Sequence, residues 1–333
     1  MNDSIENILI RSLLEESQIF IRGDDIQITK LAGDASTRKY FRVCDSASSF
    51  VCCLDRPTDG ESSDFVKVSE FLSKNGVGIP EIFVSYPEKG FILQEDLGDD
   101  MLVNYLSKDY DEIAIENWYR KSIDVIIKLQ NIPKSDVPKF VTRRKFDKDK
   151  YKFEFGVTTE YFIQKYLNFT IDGKLLESYN GCLDYIVAKI MHGDHLLVHR
   201  DYHSRNIMIK DGVLKIIDYQ DIMLGSKLYD LVSLLEDSYF PLKDKTKHKL
   251  IKYFKDLSGD TTSDDEMIFQ YDLNAIQRIY KALGSFTYIY DTREDDRYLK
   301  YVGVGFSRLT QLLEKYEELY PLLKIILKAY HGN

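Results

Sequence analysis

The chain contains 333 residues, of which 44% are hydrophobic, and this is enough for one or two packed cores. Its net charge of −9 argues against binding to the phosphate backbone of nucleic acids. The sequence contains no apolar run near the roughly 18 residues of a membrane span, and its acidic N-terminus lacks the basic segment of a signal peptide. We therefore expect a cytoplasmic protein that contacts neither nucleic acid nor a membrane; the sequence indicates no oligomeric state.

The first hundred residues predict a helix followed by an antiparallel sheet. Apolar spacing predicts a helix over residues 3–16, with Ile5, Ile8, Leu9, Leu13 and Ile10 on its buried face. The remaining predicted elements of this part are a helix at 64–75 and five strands, at 26–31, 37–44, 50–54, 82–85 and 91–94.

After residue 99 the pattern changes to long helical periods. A β-hairpin with its turn at Asp211-Gly212 interrupts them at 207–217, since this dipeptide favours the tight turn of a two-residue hairpin. Helices are expected at 111–130, 146–169, 171–191, 241–256, 263–282, 296–314 and 316–330.

Residues 196–231 carry the strongest functional signal. Asp201 is followed five residues later by Asn206, and Asp218 comes directly after the predicted hairpin. Because the hairpin folds the chain back, we expect Asp218 to lie near Asn206. A carboxylate that accepts a hydroxyl proton, with an amide oxygen and a second carboxylate that hold Mg²⁺, is typical of phosphoryl transfer. An ordinary hairpin beside a polar turn is the alternative interpretation.

Five segments of the chain occur together in one family of kinase-like proteins. They are GDASTRKYFRV at Gly33–Val43, QEDLGD at Gln94–Asp99, HRDYHSRNIMI at 199–209, IIDYQD at 216–221 and YDL at Tyr229–Leu231. In these segments the chain resembles the aminoglycoside phosphotransferase family and, within it, the bacterial anomeric N-acetylmuramate/N-acetylglucosamine kinases of peptidoglycan recycling.

The resemblance implies a bilobal, protein-kinase-like α+β fold. Residues 1–97 are expected to form an N-terminal nucleotide-binding lobe, with an antiparallel β-sheet and a helix. Residues 98–333 are expected to form a mainly helical C-terminal lobe that contains the catalytic β-hairpin and binds the acceptor. The implied activity is ATP- and Mg²⁺-dependent phosphorylation of a small sugar or amino sugar at its anomeric hydroxyl.

The resemblance also assigns roles to residues of the catalytic stretch. Asp201 is expected to be the general base, within hydrogen-bond reach of the acceptor hydroxyl. Asn206 and Asp218 are the expected Mg²⁺ ligands. His199 and Asp230 are expected to be structural, with Asp230 bonded to the backbone of the catalytic loop.

The nucleotide is expected to bind to the N-terminal lobe. Gly33 would let the backbone approach the phosphates, and Ser36 and Thr37 would supply hydroxyl and backbone donors, although any hairpin turn can contain such residues. The backbone carbonyl of Glu95 and the backbone amide of Leu97 are expected to bind the adenine ring.

The third strand departs from many relatives. They place a lysine there that reaches the nucleotide phosphates, whereas this strand reads FVCCLD. Arg38, Lys39 and Lys67 are candidate substitutes, and the sequence does not choose among them. Glu70 on the following helix is either the partner of the absent lysine or an exposed helix residue.

Three residues are candidate contacts of the acceptor. Arg205 is expected either to pair with an acceptor carboxylate, such as the lactyl group of N-acetylmuramate, or to be a solvated loop arginine. Asp221 faces either the metal or the substrate. Glu154 matches a glutamate often present in the sugar kinases, or is an ordinary surface residue.

Three functional hypotheses follow. The leading one is an anomeric N-acetylmuramate/N-acetylglucosamine kinase. The second is a phosphotransferase for an aminoglycoside or another small alcohol, which rests on analogy between folds. The third is a non-catalytic nucleotide-binding scaffold. The missing strand lysine is its only support, and the presence of Asp201, Asn206 and Asp218 argues against it.

Overall fold

The chain divides into two units in a computed structural model. The first unit comprises Met1–Asp100 and Met208–Gln220, and the second comprises Met101–Ile207 and Asp221–Asn333. The first contains an antiparallel sheet and the second is mostly helical, so the expected α+β class is confirmed. The structure describes residues 4–19, 26–31, 38–59, 62–108 and 111–332.

The sheet of the first unit has five antiparallel strands in the order β1-β2-β3-β5-β4, and the predicted sheet is confirmed. The turn before the last strand requires Gly90, because φ is +61° there and a Cβ would lie 2.2 Å from the Asp55 carbonyl oxygen. The strands are β1 (Gln27–Lys30), β2 (Lys39–Cys44), β3 (Ser49–Leu54), β4 (Ile82–Tyr86) and β5 (Phe91–Glu95).

Helix α1 (Ile5–Ser17) covers one face of this sheet. It begins after Ser4, whose side chain accepts the N–H of Asn7 and satisfies a donor of the first turn. The core between helix and sheet contains Ile10, Leu13 and Leu14 from α1 and Phe41, Val43, Cys52, Phe91 and Leu93 from the strands.

The buried face of α1 differs from the predicted one. Leu13 is buried as expected, but Ile5, Ile8 and Leu9 are exposed. The buried residues are Ile10, Leu13 and Leu14, and Glu6 and Asn7, one turn earlier on the same face, are half-buried. Helical periodicity places Ile5, Ile8 and Leu9 on the opposite side of the helix. The helix has apolar residues on both sides, so apolar spacing alone does not identify the face that packs on the sheet.

A hairpin of two short strands also belongs to the first unit, whereas the predicted boundary after residue 97 assigns it to the C-terminal lobe. The strands are β7 (Ile207–Lys210) and β8 (Val213–Ile216), numbered after β6 of the second unit. The hairpin joins the first unit because the N–H of Ile209 donates to the Asp100 carbonyl and that of Ile216 to the Gly78 carbonyl, both at 2.8 Å.

The turn of this hairpin has the conformation that its sequence predicts. Asp211 and Gly212 both have positive φ angles, of 52° and 77°. Two consecutive residues of this kind form the type I′ turn that matches the twist of the strands. The turn therefore fixes the register that brings Asp218 to the end of the hairpin.

The second unit consists of ten helices and one strand pair within the described residues, and none of its helices is long and apolar enough to cross a membrane. The strands β6 (His195–Val198) and β9 (Met223–Ser226) pair antiparallel. The first helices are α3 (Leu102–Leu106), α4 (Glu112–Gln130), α5 (Lys139–Thr142), α6 (Lys148–Thr158), which continues as a π-helical segment to Tyr166, and α7 (Gly173–Met191). The others are α8 (Tyr229–Leu235), α9 (Asp244–Ser258), α10 (Asp264–Arg293), α11 (Val302–Leu313) and α12 (Tyr320–His331).

Helix α10 contacts α6, α8 and α11 and extends beyond its predicted end at residue 282. The side chain of its N-cap residue, Ser263, accepts the N–H of Glu266 at 3.1 Å. The helix crosses α6 closely at Gly284, where a Cβ would lie 2.3 Å from the Thr158 hydroxyl oxygen. Earlier in both helices, the polar side chains of Glu154 and Gln277 meet.

Candidate active site

The loop that contains Asp201 is fixed by the carboxylate of Asp230. Strand β6 leads directly into this loop, and Asp230 lies in the first turn of α8. One oxygen of Asp230 accepts the N–H of His199 at 2.6 Å, and the other accepts the N–H of Arg200 at 2.9 Å. Arg200 has a φ of 82°, which is rare for a residue with a side chain, and these two hydrogen bonds hold it there.

The remainder of the loop is held by two further polar contacts. The buried carboxylate of Asp237 accepts both the N–H and the hydroxyl of Ser204. The amide nitrogen of Asn206 donates to the backbone carbonyl of Asp201 at 2.9 Å. Because the nitrogen of an amide makes this bond, the amide oxygen of Asn206 points away from it. That oxygen is the atom which a metal ligand must present.

Two cations of α10 lie beside one oxygen of the Asp201 carboxylate. The Nζ atom of Lys281 donates to Oδ1 of Asp201 at 3.0 Å, and an Nη atom of Arg278 lies 3.6 Å from the same oxygen. Burial raises the pKa of Asp201, but the charges of Lys281, Arg278 and Arg200 outweigh it and hold the pKa well below its usual value. Asp201 is therefore ionised at neutral pH, and its side chain is 29% exposed.

Glu154 and Arg200 extend this polar cluster. Glu154 lies on α6 and is only 4% exposed, so the surface-residue interpretation is wrong. One of its oxygens accepts from the Gln277 amide at 2.9 Å, and the other lies 3.8 Å from Arg200. The carboxylate of Asp221, whose side chain is half-exposed, lies 3.9 Å from the guanidinium of Arg200. The guanidinium of Arg200 thus lies between the carboxylates of Glu154 and Asp221.

Arg205 lies against aromatic rings of the second unit. Its guanidinium carbon is 4.9 Å from the ring centre of Tyr239 and 5.7 Å from that of Tyr298. Contacts of this kind attract a cation to the face of the ring and restrict its motion. The half-buried Arg205 is therefore held in place, unlike a solvated loop arginine.

Asp218 lies two residues after the end of β8 in the first unit and adopts a left-handed backbone conformation, with a φ of 64°. Its Oδ1 atom accepts from the side-chain amide of Gln220 at 2.7 Å. The next residue, Tyr219, is fully buried and stacks on Phe65 of α2 (Asp64–Lys74), with ring centres 5.0 Å apart. The buried ring of Tyr219 anchors the chain immediately after Asp218.

Arg38 and Lys39 lie on opposite faces of the paired strands β2 and β3. In the paired strands Tyr40 lies opposite Cys53, and alternation puts Arg38 on the same face. Arg38 pairs with Asp55 at 2.7 Å. Burial raises the pKa of Cys53 to about 12, and the positive charge of Arg38 acts against this rise. Lys39 points to the other face, where its ammonium pairs with Glu6 of α1 at 2.8 Å.

Helix α2 places no glutamate beside Cys53. Glu70 is exposed, which agrees with its interpretation as a surface helix residue, and the buried position next to it is Ser69. Lys67 is half-buried on the same helix.

The candidate nucleotide residues are partly described. Gly33, Ser36 and Thr37 lie outside the described residues. The side chain of Glu95 pairs with Lys210, at 3.0 Å, and with Lys215, so it joins the end of β5 to the hairpin. Leu97 follows it and is buried.

The side chains of Asn206 and Asp218 are each of a type that binds Mg²⁺ in proteins. Within the described part of the chain, no group of three or more His, Cys, Asp or Glu side chains could hold a metal ion. Mg²⁺ usually takes one or two carboxylates from the protein and completes its coordination with substrate phosphates and water. Asn206 in the second unit and Asp218 in the first each carry an oxygen atom of the type that Mg²⁺ prefers.

Two site residues have no signal in the sequence: Lys281 and Arg278. They lie three positions apart in the segment RIYK, inside a helix that was predicted only from its apolar period. This spacing places both on one helix face. The helix prediction therefore indicated that they lie together, but gave no reason to place them beside Asp201.

Comparison with known proteins identifies related sequences over most of the chain. The profile of the phosphotransferase enzyme family matches residues 27–258. The N-acetylmuramate/N-acetylglucosamine kinase of Neisseria meningitidis serogroup B is 26% identical over 310 residues, which cover 91% of each chain. The protein of the same name from Pseudomonas aeruginosa is 25% identical and covers 92% of this chain and 89% of its own.

A solved structure has the same fold. The ADP-bound aminoglycoside phosphotransferase APH(2'')-Ib matches with a TM-score of 0.62 and covers 92% of this chain and 99% of its own. Its sequence identity is 15%, so this likeness concerns the fold alone.

Proposed function

Because the chain belongs to the phosphotransferase enzyme family, we propose that it is an ATP- and Mg²⁺-dependent kinase which phosphorylates the anomeric hydroxyl of N-acetylmuramate and N-acetylglucosamine. Two kinases of that name match about nine-tenths of the chain and support this acceptor. The observation that carries the proposal is the ionised, partly exposed carboxylate of Asp201 on a loop fixed by Asp230. The activity would serve peptidoglycan recycling in the cytoplasm, where ATP is available.

In the proposed reaction Asp201 acts as the general base. The anomeric oxygen of the sugar forms a bond to the γ-phosphorus of ATP, and the bond from that phosphorus to the β–γ bridging oxygen breaks. The hydroxyl proton passes to the carboxylate of Asp201, and ADP leaves with the electron pair of the broken bond. An Asp that is ionised at neutral pH is ready to accept this proton.

We assign the Mg²⁺ ligands to Asn206 and Asp218. The hydrogen bond from the amide nitrogen of Asn206 to Asp201 supports this role, because it turns the amide oxygen outward. The buried ring of Tyr219 supports it for Asp218, because it restricts the backbone beside the carboxylate. When bound, Mg²⁺ neutralises charge on the phosphates and holds them for transfer.

Nucleotide binding is assigned to the first unit. The loop residues Gly33, Ser36 and Thr37 are proposed to contact the phosphates, and the backbone of Glu95 and Leu97 to bind adenine. Their order along the chain, as in the resembling kinases, supports these assignments.

We assign the role of the missing strand lysine to Arg38. It is the candidate that lies on the Cys53 face of the strands, whereas Lys39 is paired with Glu6 on the other face. A guanidinium is always charged and can bind two phosphate oxygens at once. Its present partner, Asp55, would orient it through the 2.7 Å contact.

Arg205 is the proposed contact of the lactyl carboxylate of N-acetylmuramate. The rings of Tyr239 and Tyr298 support this role because they hold the guanidinium before the ligand arrives, which lowers the entropy lost on binding. Glu154 and Asp221 are also proposed to help bind the acceptor. Glu154 would do so through its contact with Arg200, and Asp221 from a half-exposed position.

The test is ADP release from Mg²⁺-ATP with N-acetylmuramate, N-acetylglucosamine and kanamycin as separate acceptors. Turnover on both amino sugars supports the proposal. Turnover on kanamycin alone would assign the chain to the aminoglycoside branch. Nucleotide binding without ADP release on any acceptor would favour the non-catalytic scaffold.

A further inference from the structure

The α10 side chains beside Asp201 are held by other helices. Arg278 donates from Nε to the Ser233 hydroxyl of α8 at 3.1 Å, so α8 fixes its guanidinium. The neighbouring Gln277 donates to Glu154 of α6. Lys281, one turn further along α10, is 15% exposed and reaches Asp201 from this braced surface. The Arg278 guanidinium is thus fixed by α8, and Lys281 extends from the same helix, which also bonds to α6 through Gln277.

Both cations make their shortest contact with the same oxygen of the Asp201 carboxylate. Lys281 at 3.0 Å and Arg278 at 3.6 Å both lie next to Oδ1. In the part of the chain that the structure describes, no donor is hydrogen-bonded to Oδ2. A carboxylate accepts at both of its oxygens, so the one that is already occupied fixes the direction in which the other points.

We propose that Lys281 is a positioning residue: it holds Oδ1 of Asp201, with Arg278 behind it, so that Oδ2 is presented to the acceptor hydroxyl. This inference deepens the proposed function and rests on it. Proton transfer requires the base to lie within hydrogen-bond reach of the hydroxyl in the correct direction, and a misplacement of about 1 Å can cost on the order of 10²-fold in rate. Lys281 acts through Asp201 and does not itself touch the substrate.

The first test compares Lys281→Met, Lys281→Arg and the control Lys315→Met. Lys315 also pairs with an aspartate, the buried Asp272, at 2.8 Å, but away from the catalytic loop. We expect Lys281→Met to lower kcat on the order of 10²-fold, while the KM values for ATP and sugar change less than about threefold. Lys281→Arg should recover most of the loss, and Lys315→Met should leave kcat unchanged.

A double-mutant cycle separates positioning from a direct or purely structural role. If Lys281 acts through Asp201, Lys281→Met has no further effect on the residual turnover of Asp201→Asn. A further fall of the same size in that background would overturn the proposal, as would a normal kcat for Lys281→Met or a failure of Lys281→Arg to recover activity. Should Lys281→Met not fold, Lys281→Gln replaces it in both comparisons.

Turnover by the wild-type chain separates the test of Lys281 from the test of the proposed function. If it turns over the amino sugars, the variants report on Lys281 alone. If it does not, the proposed acceptor is wrong. The same variants are then compared with the acceptor that is turned over. If there is none, they are compared by the slow hydrolysis of ATP, in which water is the acceptor and ADP is released. An unchanged rate in Lys281→Met contradicts the positioning role in each case.

Discussion

The side-chain amide of Asn206 donates to the backbone carbonyl of Asp201 at 2.9 Å. The proposed metal ligand and the proposed base are therefore joined directly within one loop, whose start is fixed by Asp230 and whose middle is fixed by Asp237. A change to one of these residues can displace the other. Substitutions in this loop must therefore keep the side-chain shape and be measured for both binding and turnover.

Asp201→Asn keeps the shape of the side chain and removes the proton acceptor. We expect kcat to fall by about 10²- to 10⁴-fold, the usual contribution of general base catalysis. The dissociation constant for Mg²⁺-ATP should change by less than about twofold, because the base does not bind the nucleotide. Steady-state kinetics and titration calorimetry provide both values, and unchanged turnover would remove Asp201 from the role of base.

Arg38→Met tests the substitute for the strand lysine, with Lys39→Met as the matched control. The two residues are adjacent but lie on opposite faces of the strands. We expect Arg38→Met to weaken ATP binding by about tenfold, the effect of losing one charge-assisted contact of about 1.5 kcal/mol. Lys39→Met loses only an exposed ion pair and should bind ATP normally. Equal affinities in the two variants would contradict the assignment.

Arg205→Ala should discriminate between the two proposed acceptors. N-acetylmuramate has a lactyl carboxylate and N-acetylglucosamine has none, so only the first loses a charged contact. We expect kcat/KM for N-acetylmuramate to fall at least about tenfold more than that for N-acetylglucosamine. Arg205→Lys keeps the charge but not the planar fork and should give an intermediate loss. Equal losses on both sugars would disprove the carboxylate contact.

Glu236→Gln should destabilise the second unit without touching the catalytic loop. Its buried carboxylate accepts from Lys247 at 2.6 Å and from Arg308 at 2.9 Å. Removal of this charge leaves two cations without their shared partner, which costs about 3 kcal/mol of unfolding free energy. Glu160→Gln, which loses an exposed ion pair with Lys165, should cost less than about 0.5 kcal/mol.

The same buried carboxylate gives the stability a pH dependence. Burial raises the pKa of Glu236, but Arg308 and Lys247 outweigh it and hold the pKa below its usual 4.5. A lowered pKa contributes stability above pH 4.5, and this contribution is lost as the pH falls through the folded-state pKa. Denaturant unfolding at pH 7 and pH 4 should therefore show a larger difference for the wild-type chain than for Glu236→Gln.

Local rules predicted the elements that depend on neighbouring residues. The hairpin was predictable because Asp211 and Gly212 both tolerate positive φ angles, and the sheet because its strands alternate and are separated by turn residues. Asp201 and Asn206 could be proposed together as site residues because their short spacing lies within a single loop.

Contacts between distant segments were not predictable. Lys281 pairs with a residue 80 positions earlier, and nothing in a helix of apolar period marks one of its lysines as a partner of Asp201. Glu154 was ambiguous for the same reason, because its burial depends on Gln277, 123 positions later. The grouping of the hairpin with the first unit was not predictable either, because its backbone bonds to Asp100 and Gly78 connect segments far apart in sequence.

The most direct test of the central claim is the position of the phosphate on the sugar. ADP release is measured with N-acetylglucosamine and with its 1-O-methyl glycoside, which differs only in lacking a free anomeric hydroxyl. An anomeric kinase releases ADP with the free sugar, forms a sugar 1-phosphate detectable by ³¹P NMR, and leaves the methyl glycoside unchanged. Comparable turnover of the methyl glycoside would place the phosphate on another hydroxyl and contradict the proposed function.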